Sequence, residues 1–148
     1  MKFLYKKRNQ RGFTLIELLI VMVIIGILAT IILASTSNAR KKGADGAIKQ
    51  ELASLRSQAE LYFNENNFSY NNVFTGNNTW ASATVKIQEI LTAINSKTTV
   101  HTAGSSVNAW AAQAQSKLDP TQYFCSSSAG LVKVSSTAMG AGATVCPP

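Results

Sequence analysis

A long uncharged stretch dominates the hydrophobic pattern of this chain. Between residues 13 and 34, which are 22 residues, the only charged side chain is Glu17. A helix of this length would measure about 33 Å, enough to cross the roughly 30 Å hydrocarbon core of a bilayer. After it, apolar side chains recur at helical spacing: Ile48, Leu52, Leu55, Ala59 and Tyr62. The pattern predicts one helix from about Phe13 to Phe63, apolar all round at first and amphipathic later.

The segments after this helix predict a polar connection and a second helix. Residues 64–78 are rich in Asn, and we expect a loop there. Residues 84–96 carry apolar side chains at helical spacing, which predicts a short helix. The tail after Ser135 is rich in Gly, Ser and Thr, and we expect it to be loop unless Cys146 holds it in place.

Three short segments predict β-structure. Residues 122–125 and 131–135 have strand-like composition and are separated by turn residues. Residues 107–114 alternate loosely but are rich in Ala, and we predict a strand rather than a helix. His101 precedes them in a polar stretch, where we expect a surface loop. Together the segments predict an antiparallel meander.

The basic residues before the apolar stretch leave three interpretations open. Five of them lie in the first 12 residues: Lys2, Lys6, Lys7, Arg8 and Arg11. A secretory signal peptide would be cleaved after Ala39, but its apolar region normally has only about 7–15 residues. A plain membrane anchor would keep its basic end in the cytoplasm. Neither explains Glu17, because an acid in the bilayer core costs about 2.5–3.5 kcal/mol.

The third interpretation rests on residues 12–17, GFTLIE, behind the basic leader. This stretch resembles the class III signal of type IV pilins and pseudopilins. The resemblance implies a cut after Gly12 by a prepilin peptidase and methylation of the new N-terminus, Phe13. It also implies that Glu17 of one subunit neutralises the amine of its neighbour during assembly, since an unpaired charge in a dry helical core is costly.

By the same resemblance we expect the pilin fold, an α+β fold in which a long helix packs against a small antiparallel sheet. The implied segments are a removed leader at 1–12, a membrane or fibre-core half-helix at 13–34, an amphipathic half at 35–66 and a globular head at 67–148. The precursor would lie in the inner membrane with its N-terminus in the cytoplasm, and would then enter an extracellular fibre. The implied partners are copies of itself, the prepilin peptidase and methyltransferase, an assembly-platform membrane protein and, indirectly, an assembly ATPase.

Charge and cysteine usage agree with this interpretation. The chain has 14 Lys and Arg against seven Asp and Glu; without the five basic residues of the leader, nine remain against seven, a net charge of +2. We interpret the basic cluster at 40–42 as an interfacial anchor, and contact with nucleic acid stays open. Cys125 and Cys146 follow the span on its oxidising side, so we expect a disulfide, as in many type IV pilins.

Little in the sequence points to catalysis. Only two acids follow Glu65, and no phosphate-binding loop, nucleophile motif or zinc-ligand spacing occurs. We therefore expect no enzyme activity, no cofactor and no metal site. Trp80 and Trp110 are interpreted as core or subunit-packing residues rather than a binding patch, and glycosylation near Asn78 stays open.

The alternative function is a major pseudopilin of a type II secretion system. Pseudopilins of that kind typically bind calcium through acidic residues near the C-terminus and lack the disulfide, so the two cysteines and the acid-poor tail favour a pilin. Gly26 is a point of helix flexibility, but no proline follows it before Pro120, and we predict a helix that stays continuous in the fibre. The resemblance allows a fibre for adhesion, motility or DNA uptake and either a major or a minor subunit; the presence of Glu17 favours a subunit other than the tip.

Overall fold

The computed structural model describes residues 12–74 and 84–148. Two helices and four strands occur in these ranges: α1 (Leu15–Glu65), α2 (Val85–Asn95), β1 (His101–Ser105), β2 (Trp110–Gln115), β3 (Tyr123–Ser127) and β4 (Gly130–Ser135). The predicted α+β fold and both predicted helices are confirmed. The basic leader up to Arg11, the loop residues 75–78, Trp80 and the glycosylation sequence at Asn78 lie outside the described residues.

Helix α1 runs without a break for 51 residues and ends two residues later than predicted. Its end is marked by Asn67, which has a left-handed backbone with φ of 53°. The Phe68 N–H then donates to the Phe63 carbonyl at 2.9 Å, and the two rings are in edge contact at 5.6 Å. This bond and this apolar contact are those of a Schellman ending, in which Asn takes the place usually held by Gly.

The chain divides into two compact units, one ending at Ser37 and the other beginning at Asn38. In the described part of the first unit, α1 exposes large apolar side chains on every face from Leu15 to Leu33. This part of α1 is long and apolar enough to cross a membrane, and none of its most apolar window is buried in the structure.

The second unit encloses the hydrophobic core. The predicted apolar stripe of α1 lies within it, because four of its members are fully buried: Ile48, Leu52, Leu55 and Ala59. Helix α2 and the sheet supply the side chains that cover this stripe: Ile87, Leu91, Ile94, Trp110, Ala112, Ala114 and Phe124. Full burial of a large aliphatic side chain contributes about 1.5–3 kcal/mol, so this contact stabilises the packing of helix against sheet.

The sheet is an antiparallel meander in the order β1-β2-β3-β4. The prediction of a loop at His101 was wrong, because His101 lies in β1 opposite Ala114 and is half-buried, which lowers its pKa. The strand predicted at 107–114 was placed too early. The Ser106 N–H donates to the Ala109 carbonyl at 2.8 Å in a hairpin turn, and β2 begins only at Trp110. The polar β1 has no strand pattern of its own and forms because β2 offers it hydrogen-bonding partners.

The tail after β4 covers the sheet face opposite α1. Side chains alternate along β2, and since Ala112 and Ala114 face the core, Gln113 points to the other side. There the buried Gln113 amide donates to the Thr137 carbonyl at 2.9 Å and accepts from the Met139 N–H at 2.6 Å. One side chain thus binds two backbone groups of the tail.

Two further contacts hold the tail. Cys125 of β3 and Cys146 form a disulfide with an S–S distance of 2.00 Å, so the predicted pairing is confirmed. A Cβ atom on Gly104 of β1 would lie 2.5 Å from the Ala143 carbonyl oxygen. Glycine at position 104 therefore allows the tail to approach the backbone of β1.

Candidate processing and assembly site

The predicted processing residues lie at the exposed beginning of α1. Gly12 and Phe13 have non-helical backbone immediately before the helix, and the Phe13 side chain is 84% exposed. Nothing lies within 4 Å of the place a Cβ atom would take on Gly12. The packing of the subunit itself therefore does not require glycine there, and the peptide bond between the two residues is accessible.

Thr14 and Glu17 form a capping box at the start of α1. The Thr14 backbone N–H and hydroxyl donate to Glu17 Oε2 at 2.9 and 2.8 Å, and the Glu17 N–H donates to Thr14 Oγ1 at 3.3 Å. Because the first N–H groups of a helix have no partner within it, this exchange satisfies two of them. Our sequence predictions did not include this local role, although Thr followed three residues later by Glu is its signal.

Glu17 keeps one carboxylate oxygen for a second partner. Both bonds from Thr14 end on Oε2, and within the described ranges no hydrogen bond ends on Oε1. An acid in the first turn also interacts favourably with the positive end of the helix dipole. The carboxylate can therefore accept an amine on Oε1 while the cap remains closed.

Two threonine side chains of α1, one within the apolar half and one just after it, donate hydrogen bonds to the helix itself. Thr30 Oγ1 donates to the Ile27 carbonyl at 2.7 Å, and Thr36 Oγ1 donates to the Ile32 carbonyl at 2.8 Å. A hydroxyl that bonds to its own helix can enter an apolar environment at little cost. Gly26 precedes both of these turns and has open space at its Cβ position, and the helix is continuous through it.

Asp45 is a buried carboxylate that our sequence predictions missed. It lies on α1, is 8% exposed and accepts hydrogen bonds from the Ser116 hydroxyl at 2.6 Å, the Lys117 N–H at 2.6 Å and the Leu118 N–H at 3.3 Å. It therefore ties α1 to the connection between β2 and β3. Asp45 lies three residues before Ile48 and therefore on the same buried side of α1. This spacing is the signal that could have identified it from the sequence.

The same connection contains a second engaged acid. Asp119 accepts from the Thr121 hydroxyl at 2.6 Å and from the Thr121 N–H at 3.0 Å, and these bonds lower the pKa of Asp119. Among residues 12–74 and 84–148, no group of three or more His, Cys, Asp or Glu side chains is placed to hold a metal ion.

The N-terminal segment matches a protein-family model. Residues 7–33 match the prokaryotic N-terminal methylation motif. Among curated proteins, the chain is similar to the type IV wide pilus major component PilA4 of Thermus thermophilus, with 43% identity over 60 residues that cover 40% of this chain and 46% of that protein. It is also similar to the type II secretion system core protein G of Dickeya chrysanthemi, with 34% identity over 56 residues that cover 38% of this chain and 37% of that protein.

The protein G of Aeromonas hydrophila gives a comparable match, 32% identity over 62 residues that cover 42% of this chain and 43% of that protein. The chain thus spans less than half the length of each of these relatives. No solved structure matches the chain.

Proposed function

We propose that this chain, whose residues 7–33 match the prokaryotic N-terminal methylation motif, is a pilin-like protein and a structural subunit of a type IV pilus. The observation that carries the proposal is the methylation motif at 7–33 together with a helix whose apolar side chains are exposed on all sides from Leu15 to Leu33. Such a surface is stable only when it is covered, first by lipid and then by the same helices of other subunits.

The proposed precursor is a single-pass protein of the inner membrane with its N-terminus in the cytoplasm. A prepilin peptidase cleaves it after Gly12 and methylates the new amine of Phe13. The accessible, non-helical backbone at these two residues supports this step, because a peptidase needs an extended substrate. An assembly-platform membrane protein then passes the subunit into the helical fibre.

In the fibre, Glu17 pairs with the amine on Phe13 of the neighbouring subunit. Cleavage creates that positive charge at the end of an apolar helix, and burying it alone would cost several kcal/mol. The free Oε1 of Glu17 supports the pairing, because the carboxylate can bind the amine without opening the cap on Thr14.

Mass spectrometry of material sheared from the cell surface tests the proposal. We expect a chain that begins at Phe13, carries the added mass of one methyl group and has lost the two hydrogens of the Cys125–Cys146 bond. A chain that begins after Ala39 would indicate ordinary secretion and would contradict a fibre subunit.

The second candidate function is a pseudopilin, and the similarity to type II secretion core proteins G favours it. The two functions predict the same processing and different destinations. A processed chain found in sheared fibres supports the pilus subunit. A processed chain that stays entirely in the membrane fraction supports the pseudopilin.

A further inference from the structure

The turn after α1 contains an acceptor sequence for asparagine glycosylation. Asn67, Phe68 and Ser69 fit the pattern Asn-x-Ser/Thr, in which x is not proline. The pattern occurs at one other place in the chain, Asn77 to Thr79, which lies outside the described residues. Since three residues also match by chance, the use of the pattern depends on whether its functional groups are exposed and unengaged.

The Asn67 side chain is exposed, and within residues 12–74 and 84–148 it takes part in no hydrogen bond. Its neighbour Asn66 is engaged, because Nδ2 of Asn66 donates to the Tyr62 carbonyl at 2.9 Å. Asn67 contributes to the helix ending through its left-handed backbone, with φ of 53°, a conformation in which Asn is enriched. Its amide nitrogen is therefore open to an enzyme.

Ser69 supplies the hydroxyl of the pattern. Its Oγ accepts a hydrogen bond from the Asn71 N–H at 3.1 Å, and in the part of the chain that the structure describes no acceptor takes its proton. That proton can therefore bind the transferase or the acceptor amide. Glu65, two residues before Asn67, is also exposed and gives an enzyme a negative charge to recognise. The turn thus presents a carboxylate, an amide and a hydroxyl within residues 65–69.

The acceptor turn is held at both ends. On one side the Phe68 N–H donates to the Phe63 carbonyl at 2.9 Å. On the other side the buried Tyr70 donates its N–H to the Val107 carbonyl at 3.0 Å. Between these contacts the Phe68 ring is 68% exposed, and its φ of 57° is unusual for a bulky residue. An enzyme therefore meets an exposed turn of fixed shape and does not need to unfold the subunit.

We propose that Asn67 is N-glycosylated after the second unit has crossed the membrane. The donor belongs to the class of oligosaccharides linked to a polyprenyl diphosphate. Nδ2 of Asn67 forms a bond to C1 of the first sugar and releases one proton. The bond from C1 to the diphosphate oxygen breaks, and the lipid diphosphate leaves with the electron pair. The inference rests on the proposed function in one respect, because it requires a second unit outside the cytoplasm.

Glycosylation at Asn67 restricts how subunits pack. An attached oligosaccharide is bulky and hydrophilic and stays at a surface. Burying its hydroxyl groups without partners in a contact between subunits would be costly. In the proposed fibre, the turn after α1 therefore faces solvent.

Mass spectrometry of one tryptic peptide tests the proposal on the full chain, taken from the surface and membrane fractions of the organism that produces it. Cleavage after Arg56 and Lys86 releases residues 57–86, which contain both acceptor sequences. Fragmentation that leaves side-chain modifications intact then assigns any sugar to Asn67 or Asn77. We expect the peptide to carry the added mass of one or more sugar residues on Asn67, in a chain that begins at Phe13.

Four variants separate the acceptor sequence from the fold of the turn. Asn67→Gly removes the acceptor amide and keeps the left-handed helix ending, because Gly is the usual residue there. Ser69→Ala removes the hydroxyl and keeps Asn67. Both variants should lose the added mass. Ser69→Thr keeps a hydroxyl and should retain the mass, and the matched control Thr79→Ala removes the other acceptor sequence and should leave the sugar on Asn67.

Several results would overturn the proposal. An unmodified Asn67 in a chain that begins at Phe13 and is present in sheared fibres overturns the glycosylation alone. A sugar on Asn77 only, or a sugar that Ser69→Ala retains, contradicts the assignment to this acceptor sequence. A chain that keeps its leader and stays in the cytoplasm overturns the proposed function, on which the glycosylation rests.

Discussion

The backbone N–H of Thr14 and the carboxylate of Glu17 lie 2.9 Å apart and close the first turn of α1. In an apolar environment this contact matters more than in water, because an unpaired N–H there costs several kcal/mol. Glu17 therefore has two tasks that can be separated. It caps its own helix through Oε2, and in the proposed fibre it binds a neighbouring amine through its charge.

Glu17→Gln and Glu17→Ala separate these tasks. The Gln side chain keeps an acceptor for the Thr14 N–H but has no charge, whereas Ala loses both. We expect both variants to abolish fibres, because an amine buried without its partner costs about 3–5 kcal/mol. The measurement is the amount of subunit in the sheared surface fraction, with Thr14→Ser as the control that keeps the cap. Normal fibre yield from Glu17→Gln would show that the cap, and not the charge, is the requirement.

Asp45→Ala should destabilise the second unit. The change leaves the donors of Ser116, Lys117 and Leu118 without their acceptor in a part-buried site, and we expect a loss of about 2–4 kcal/mol. The measurement is urea unfolding in detergent followed by tryptophan fluorescence, to which the buried Trp110 contributes. Glu89→Ala removes an exposed carboxylate and should change the free energy of unfolding by less than about 0.5 kcal/mol. If the two variants changed the free energy of unfolding equally, Asp45 would not hold α1 to the β2–β3 connection.

Gly104→Ala should displace the tail from the sheet. Its new Cβ atom would lie 2.5 Å from the Ala143 carbonyl oxygen and 2.6 Å from that of Gly142, so backbone must move. We expect a loss of about 1–3 kcal/mol and faster hydrogen exchange at the Met139 N–H. Gly130→Ala is the matched control, since it also lies in an edge strand and has open space at its Cβ position. Unchanged exchange at Met139 in Gly104→Ala would show that the tail does not depend on this approach.

Tyr70 should make the folded chain lose stability at high pH. Its hydroxyl donates to Glu60 Oε1 at 2.9 Å, and burial, with this bond and the charge of Glu60, raises the pKa of Tyr70 to about 12 from 10.0. Between these values the folded state keeps the proton that the unfolded chain releases. The Tyr70 environment therefore makes its full contribution to the free energy of unfolding below pH 10.0, and this contribution is lost as the pH rises towards about 12.

Urea unfolding of the wild type and Tyr70→Phe at increasing pH measures this contribution. Relative to Tyr70→Phe, the wild type should lose about 1.4 kcal/mol per pH unit within that window. Glu60→Gln should move the onset of tyrosinate absorbance to lower pH, because it removes the nearby negative charge. Parallel stability curves for the wild type and Tyr70→Phe would contradict a raised pKa.

Residues close in sequence account for the features that could be predicted. The apolar stretch at 13–34, the stripe from Ile48 to Ala59 and α2 follow from spacing along one helix, and each is present in the structure. The disulfide was predictable for another reason, since Cys125 and Cys146 are the only two cysteines.

The sequence by itself therefore determined the long helix, its apolar and amphipathic parts, the motif at its start and the pairing of the cysteines. Tertiary structure alone decided the formation of β1, in which His101 pairs with Ala114. It also decided the packing of the C-terminal tail over the sheet, which depends on the hydrogen bond from the Met139 N–H to the Gln113 side chain. It also decided the environment of Asp45, whose partners lie more than 70 residues further along the chain. A periodic pattern records which side of an element is buried, but it does not record which distant backbone groups meet a given side chain. That depends on how the elements pack.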